Sequence, residues 1–466
     1  MPIWGTQTVG RRFRRQLAVV TAVGAGWRLS YLFVAKADQR LLLNDSLYYS
    51  IQAGLNSEGR WFKDALTDQP GAEHGPLTSL YLTPWSLGGG DGVFRQRLAM
   101  TLLGIATVAV IGLVGRRLGS LVADGRGSGT GADGWLGYGG AERVGIAAAV
   151  MAAAYPNLWI NDSLVMSESL AVLLVSLALL VALGHHRHPT LVSGAGLGLI
   201  VGLGALTRSE VAIFGPAFAL LSWAVCRRRR LRAWPALAIV AAAVMTLVPW
   251  TVYNAGRFAE PVLLSTNDGN TLLGANCDIT YFDDVGGWDL LCLGPLEVGS
   301  VGHEPGAADA SQRSTERRRQ GLEYIGDHVG RLPVVVAARV GRALDVYGLG
   351  SLVRLDVGEE KAEWAVWAGI VSWWALAVLA VGGWQVLRRR SVAARGWLMV
   401  PAAAVLVTTV LFYGAHRIRA PAEPTVVVLA AVAVAGATRN RWVRDGPSWR
   451  STRPRDPDRV GGTLGR

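Results

Sequence analysis

From Leu164 to Leu183 the chain reads LVMSESLAVLLVSLALLVAL, twenty residues whose one charged side chain is Glu168. At about 1.5 Å of rise per residue, a helix of this length matches the roughly 30 Å hydrocarbon core of a bilayer. Similar stretches flank it. Upstream lie Leu17–Ala35, Leu98–Val114 and Val144–Ile160. Downstream lie Leu191–Leu206, Val211–Cys226, Ala233–Trp250, Trp364–Leu387, Trp397–Tyr413 and Ala422–Ala437. Some are shorter than a full span, so their helices are expected to run on into flanking polar residues. Of the 466 residues, 51% are hydrophobic and 17% charged, against roughly 25% charged in a soluble domain. The expected fold class is an all-α integral membrane protein with about ten transmembrane helices and two larger outer-face loops carrying amphipathic surface helices.

The formal net charge is +12. In a soluble chain that excess would suggest nucleic acid. Here the arginines sit in short runs between apolar stretches, where they anchor a cytoplasmic membrane face, so no nucleic-acid partner is expected. Arg11–Arg15, Arg116–Arg117, Arg187, Arg227–Arg230, Arg388–Arg390 and the Arg439–Arg466 tail fall on alternate connections. Ten spans place all of them on one side. The first apolar stretch follows basic residues, as a signal peptide does, but it is longer than a signal core and no small-residue cleavage site follows it. It is read as a helix.

The organisation expected is a basic cytoplasmic N-terminus (1–16), an N-terminal transmembrane module (17–250) with a first outer loop (36–97), and a large extracytoplasmic loop (251–363). C-terminal transmembrane helices (364–437) and a disordered basic cytoplasmic tail (438–466) follow. The glycine-rich connection Asp124–Gly140 reads as a flexible cytoplasmic loop. Chemistry is therefore sought on the outer face, in the plasma (inner) membrane.

The first outer loop carries Asn44-Asp45-Ser46-Leu47-Tyr48-Tyr49 and then His74-Gly75-Pro76-Leu77. Leu47, Ile51 and Leu55 recur at helical spacing, so Asp45 opens a short amphipathic helix lying along the membrane. An Asp at that boundary is placed to take a proton from an acceptor hydroxyl. The same position suits an N-cap, filled by Asn44, Asp45 or Ser46. Further outer-face motifs are Met166-Ser167-Glu168-Ser169-Leu170, Thr207-Arg208-Ser209-Glu210 and Arg417-Ile418-Arg419-Ala420-Pro421-Ala422-Glu423-Pro424.

Taken in order, these motifs resemble the GT-C superfamily of polytopic glycosyltransferases. The branch of protein O-mannosyltransferases and aminoarabinose transferases, which use polyprenyl-phosphate sugars, is the most similar. The likeness runs from about residue 15 to 437. It implies that Asp45 is the catalytic base of an inverting sugar transfer from a polyprenyl-phosphate donor to a glycan, lipid or protein acceptor. The chain departs from that pattern in having Asn44 and Ser46 beside Asp45, and His74-Gly75 before Pro76-Leu77.

Within this frame His74 is either a phosphate donor group or a loop histidine. Glu168 suits sugar hydroxyls or a divalent cation, and equally the favourable first turn of a helix. No other cofactor is implied, and the metal stays open. Arg208 and Glu210 are substrate-binding candidates that also read as a structural ion pair. Arg417 and Arg419 run against the positive-inside bias, so an anionic partner is expected: a guanidinium fork suits a lipid phosphate, and snorkelling to lipid headgroups is the alternative. In the large loop, Cys277 and Cys292 share an oxidising compartment and are expected to pair, closing a loop worth on the order of 3 kcal/mol. Tyr281 and Trp288, with Asp278, Asp283 and Asp284, are candidates to line an acceptor site. From Arg313 to Arg342 a single amphipathic surface helix is expected, with Val336, Val340 and Leu344 on one face.

The alternative is a non-enzymatic transporter or flippase of a lipid-linked glycan. Transporters place ionisable residues near the midplane and show related halves. Here the polar residues crowd one face, Arg28 being the main midspan exception, and no internal repeat appears.

Overall fold

The computed structural model describes residues 10–42, 44–64, 69–88, 92–123, 139–294 and 308–445, with side chains in the last segment through 437. Most of the expected loop Asp124–Gly140, His303, and the tail beyond Asp445 lie outside the described residues.

Among the described residues the chain is helical, with one isolated bridge between Lys63 and Pro70. The membrane helices begin with α1 (Arg11–Tyr31), which runs on as a wider π-turn over Leu32–Lys36. Helices α2 (Asp45–Ser57) and α3 (Pro76–Ser86) fill the first loop and lead into α4 (Gly92–Ala123). Then come α5 (Gly140–Ala154), α6 (Pro156–Trp159), α7 (Glu168–Arg187), α8 (Leu191–Ala205), α9 (Phe214–Arg228) and α10 (Trp234–Asn254). The large loop contributes α11 (Asp268–Gly274), α12 (Ala310–Asp327), α13 (Leu332–Ala343) and α14 (Leu349–Gly358). The chain ends with α15 (Glu363–Arg389), α16 (Arg395–Leu398), α17 (Val400–Leu411), α18 (His416–Arg419) and α19 (Glu423–Asp445).

Each apolar stretch lies on a helix, but not all are full spans. Among the described residues, seven helices are long and apolar enough to cross a membrane. The pair Gly140–Ala154 and Pro156–Ser163 is apolar enough when taken together but is bent by 61°, as a broken span or a re-entrant loop is. The bend falls at Tyr155-Pro156, where the proline lacks an N–H and forces the residue before it into extended backbone. The remaining two stretches form the shorter helices Leu191–Ala205 and Val400–Leu411.

Burial separates the helices into an inner and an outer set. The best apolar window is 78% buried in His416–Ala437 and 72% in Glu168–Arg187, but 28% in Arg11–Lys36 and 22% in Trp234–Asn254. The outer helices expose Val23, Leu237, Val244, Met245 and Val252, the apolar surface that a lipid-facing helix presents. Inside, small residues let backbones touch. A side chain on Gly383 would meet the Leu429 carbonyl, and one on Gly104 would overlap the Asp162 carboxylate, which instead pairs with Arg28 at 2.7 Å. Close approach through small residues is how membrane helices gain packing without a hydrophobic driving force between them.

Three expectations are corrected. The segment Arg313–Arg342 is two helices, interrupted near Gly330 and restarted with Pro333 in the first turn of α13. Its buried face is Val335, Ala338, Arg339 and Arg342, while Leu344 is exposed. The arginines are inside because backbone carbonyls receive them: Arg339 donates to Ala275 and Val410, and Arg342 to Gly414. In α2 the buried face is Ser46, Tyr49, Gln52, Ala53 and Asn56, and Ile51 is 38% exposed. Gln52 and Asn56 bond each other, so a polar seam can be buried there without loss. The tail expected to be disordered from Thr438 is helical to Asp445.

Candidate active site

At the start of α2 the capping role falls to Asn44, whose side chain accepts the Ser46 amide at 2.8 Å. Asp45 is thereby left free, and its carboxylate pairs with the Arg417 guanidinium through one oxygen and with His74 Nε2 at 3.5 Å through the other. His74 is held by a close approach of its loop to α8, where Leu77 N–H donates to the Leu206 carbonyl and Gly75 leaves no room for a side chain. Tyr48 and Tyr49 pack their rings on the imidazole.

Arg417 meets two further carboxylates. Glu168, the first residue of α7, lies 3.3 Å from its Nε, and Glu359 accepts from its Nη1 at 2.9 Å. Glu168 also takes Arg208 at 2.7 Å, and Arg208 pairs with Glu210 at 2.5 Å. The structure therefore brings Asp45, His74, Glu168, Arg208, Glu210 and Arg417 into one cluster, assembled from the ends of helices distant in sequence.

Burial works to raise the Asp45 carboxyl, but Arg417 and then His74 overcome it and hold the group well below the usual carboxylate range. For His74 burial works to lower the imidazole, and the facing Asp45 reverses this and raises it. Tyr413 borders the cluster, and its phenol is pushed up to about 12, chiefly by burial.

Arg419 does not join this group. Its guanidinium is 2% exposed, bonds Asp345 at 2.8 Å and Glu423 at 2.8 Å, and stacks over Trp373. The anionic partners that both arginines require are protein carboxylates, and the two do not form one fork. Cys277 and Cys292 are joined in a disulfide, and Cys226 is a buried free thiol. Tyr281 is fully buried, its hydroxyl donating to Asn276, so it lines no surface. Trp288 is partly exposed and neighbours Tyr413 at 6.5 Å.

Sequence reading missed a second set of residues. Lys361 lies 3.1 Å from Glu359 and 2.8 Å from Asp356. Asp356 in turn bonds His416, and His416 bonds Asp345. The available signal was the run Glu359-Glu360-Lys361 directly before an apolar helix. As for a divalent cation, Asp45, Glu168 and Glu359 do converge, but on a guanidinium that occupies the space between them. Among the described residues no group of three His, Cys, Asp or Glu side chains is arranged to hold a metal ion.

No family model and no curated protein sequence matches the chain. Solved structures do. The oligosaccharyltransferase of Archaeoglobus fulgidus, crystallised with Zn and sulfate, superposes with a TM-score of 0.55 at 15% identity, over 92% of this chain and 50% of that one. ArnT from Cupriavidus metallidurans, bound to undecaprenyl phosphate, matches with a TM-score of 0.39 at 13% identity, over 93% of this chain and 79% of that one. The chain thus spans about half the length of the archaeal enzyme. It shares the fold of the part of the archaeal oligosaccharyltransferase that it covers.

Proposed function

We propose that the protein is a glycosyltransferase that takes a sugar from a polyprenyl-phosphate donor and passes it, with inversion, to an acceptor outside the cytoplasm. The observation that carries this reading is the pairing of Asp45 with Arg417 at one end of the helix bundle. It sets a carboxylate beside a guanidinium that is 16% exposed and suited to a phosphate. Asp45 accepts the proton of an acceptor hydroxyl as that oxygen attacks the anomeric carbon. The bond from that carbon to the phosphate oxygen breaks, and the phosphate leaves on Arg417 without needing a proton, so one base suffices. Glu168, Arg208, Glu210 and His74 hold Arg417 and Asp45 in register and border the sugar.

The orientation is supported by charge. Glu168 opens α7, Glu210 sits in the turn just before α9 and Glu359 just ahead of α15, and these three helices end in Arg187, Arg227–Arg228 and Arg388–Arg389, the basic ends that favour a cytoplasmic face. The site then opens on the extracytoplasmic side of the plasma membrane, within reach of a lipid-borne donor. The test is transfer by the purified protein from a panel of radiolabelled polyprenyl-phosphate sugars, beside Asp45→Asn. Turnover lost in the variant while donor binding persists supports the reading. Equal turnover removes Asp45 from the chemistry, and donor flipping without transfer by the wild type would favour a transporter.

A further inference from the structure

Each carboxylate on Arg417 also meets a second basic side chain. Asp45 has His74, Glu168 has Arg208, and Glu359 has Lys361. Three carboxylates around one guanidinium would leave a negative site that repels phosphate. The outer basic groups, of which Arg208 is shared with Glu210 and Lys361 with Asp356, offset part of that charge and leave Arg417 able to attract an anion.

Lys361 is the most deliberately placed of the three. Helix α14 ends in a Schellman motif, with Glu360 N–H on the Val357 carbonyl and Lys361 N–H on the Asp356 carbonyl. The left-handed position of that motif, which glycine normally takes, is occupied by Glu360 at φ 69°. A non-glycine residue is strained there, because its Cβ crowds the following carbonyl oxygen. The Glu360 side chain offsets the strain by pairing with Arg97 at 2.7 Å and accepting the Leu42 amide at 3.0 Å. That anchored turn directs Glu359 to Arg417 and folds Lys361, itself 5% exposed, back between Glu359 and Asp356.

We infer that Lys361 is a positioning residue for anion binding: by neutralising Glu359 it keeps the charge of Arg417 available to the donor phosphate. This rests on the proposed function. The experiment measures binding of sugar-free polyprenyl monophosphate, and separately of inorganic pyrophosphate, to wild type, Lys361→Met, Lys361→Arg and Glu359→Gln in detergent, with size-exclusion profiles checking the fold. Lys361→Met should weaken both anions by at least about ten-fold, as loss of one partner of a buried pair does. Lys361→Arg should stay within about three-fold of wild type. Glu359→Gln removes the charge that Lys361 neutralises, so it should bind both anions at least as tightly as wild type. A purely structural role predicts the opposite for Glu359→Gln, so a ten-fold loss there overturns the inference. So does wild-type affinity in Lys361→Met. Should Lys361→Met fail to fold, Glu359→Gln alone decides. If the wild type binds neither anion, the proposed function falls, and the inference with it.

Discussion

Arg417 and Asp45 are joined by an ion pair across 372 residues of chain, one in the opening turn of the last membrane helix and the other at the first residue of the first loop helix. Replacing Arg417 with Ala should remove the donor phosphate contact and release the Asp45 carboxyl towards its ordinary range. Donor affinity is expected to fall by at least about ten-fold, since a charge-assisted bond in a partly buried site is lost. Arg417→Lys, which keeps the charge but not the fork, should recover only part of it. Titration with a fluorescent polyprenyl phosphate checks both.

The Asp45–His74 contact gives the fold a pH dependence whose sign is fixed by the direction of each shift. His74 is raised, so its contribution is fully present below the unfolded histidine value of about 6.5 and is lost as pH rises through the higher folded value. Asp45 is depressed, so its contribution is present above the unfolded carboxyl value of about 3.9 and is lost only as pH falls through the lower folded value. Between these limits the pair is intact. The melting midpoint of the wild type should decline on the alkaline side of neutrality, and His74→Gln should flatten that limb while sparing the acid limb. Thermal scans across about pH 5 to 9 read both. An unchanged alkaline limb in His74→Gln would show that His74 is not charged in the folded protein.

What was legible in the sequence was what apolar length and arginine placement can encode. Leu164–Leu183 announces a membrane helix by itself, and Asp45, Glu168 and Arg417 were visible as charges at span ends, where a charge needs a reason. Their convergence was not legible, because it depends on which helix ends become neighbours. Arg419 shows the limit best. From sequence it is the twin of Arg417, two residues on, yet this step along a helix turns it to a different face, where Asp345 and Glu423 enclose it. The arginines of α13 misled for another reason. A pattern of valines marked the wrong face, since carbonyls just past the ends of α11 and α17 make buried guanidinium groups acceptable there.

The disulfide makes a separate test, of stability and topology together. Cys277 and Cys292 close a segment of sequence separation 15 that carries Trp288, and a loop of this length is worth on the order of 3 kcal/mol. The Cys277→Ser, Cys292→Ser double variant should melt earlier. In intact cells, both thiols should become reactive to a membrane-impermeant maleimide only after reduction, while buried Cys226 stays unlabelled. Labelling without prior reduction would mean that the pair does not form, and would remove the support it lends to an oxidising outer compartment.

Arg419 supplies the sharpest contrast with its neighbour. Its guanidinium bonds Asp345, Glu423 and the Ala343 carbonyl, and Glu423 is shared with the Tyr155 hydroxyl. Removing it leaves the buried Glu423 with the Tyr155 hydroxyl and Asp345 with His416 alone, and breaking a buried pair in this way costs about 3–5 kcal/mol, a large share of the stability of a typical domain. Arg419→Ala should therefore accumulate poorly and melt far below wild type, whereas Arg417→Ala, at the partly exposed site, should fold and fail only in binding. Pairing Arg419→Met with Glu423→Gln removes one of those two carboxylate charges and should restore part of the lost stability, which no phosphate-binding role would produce. If instead Arg419→Ala purified normally and lost donor binding as Arg417→Ala does, the two arginines would act as one phosphate clamp after all. The buried network around Asp345 would then have to open when the donor binds.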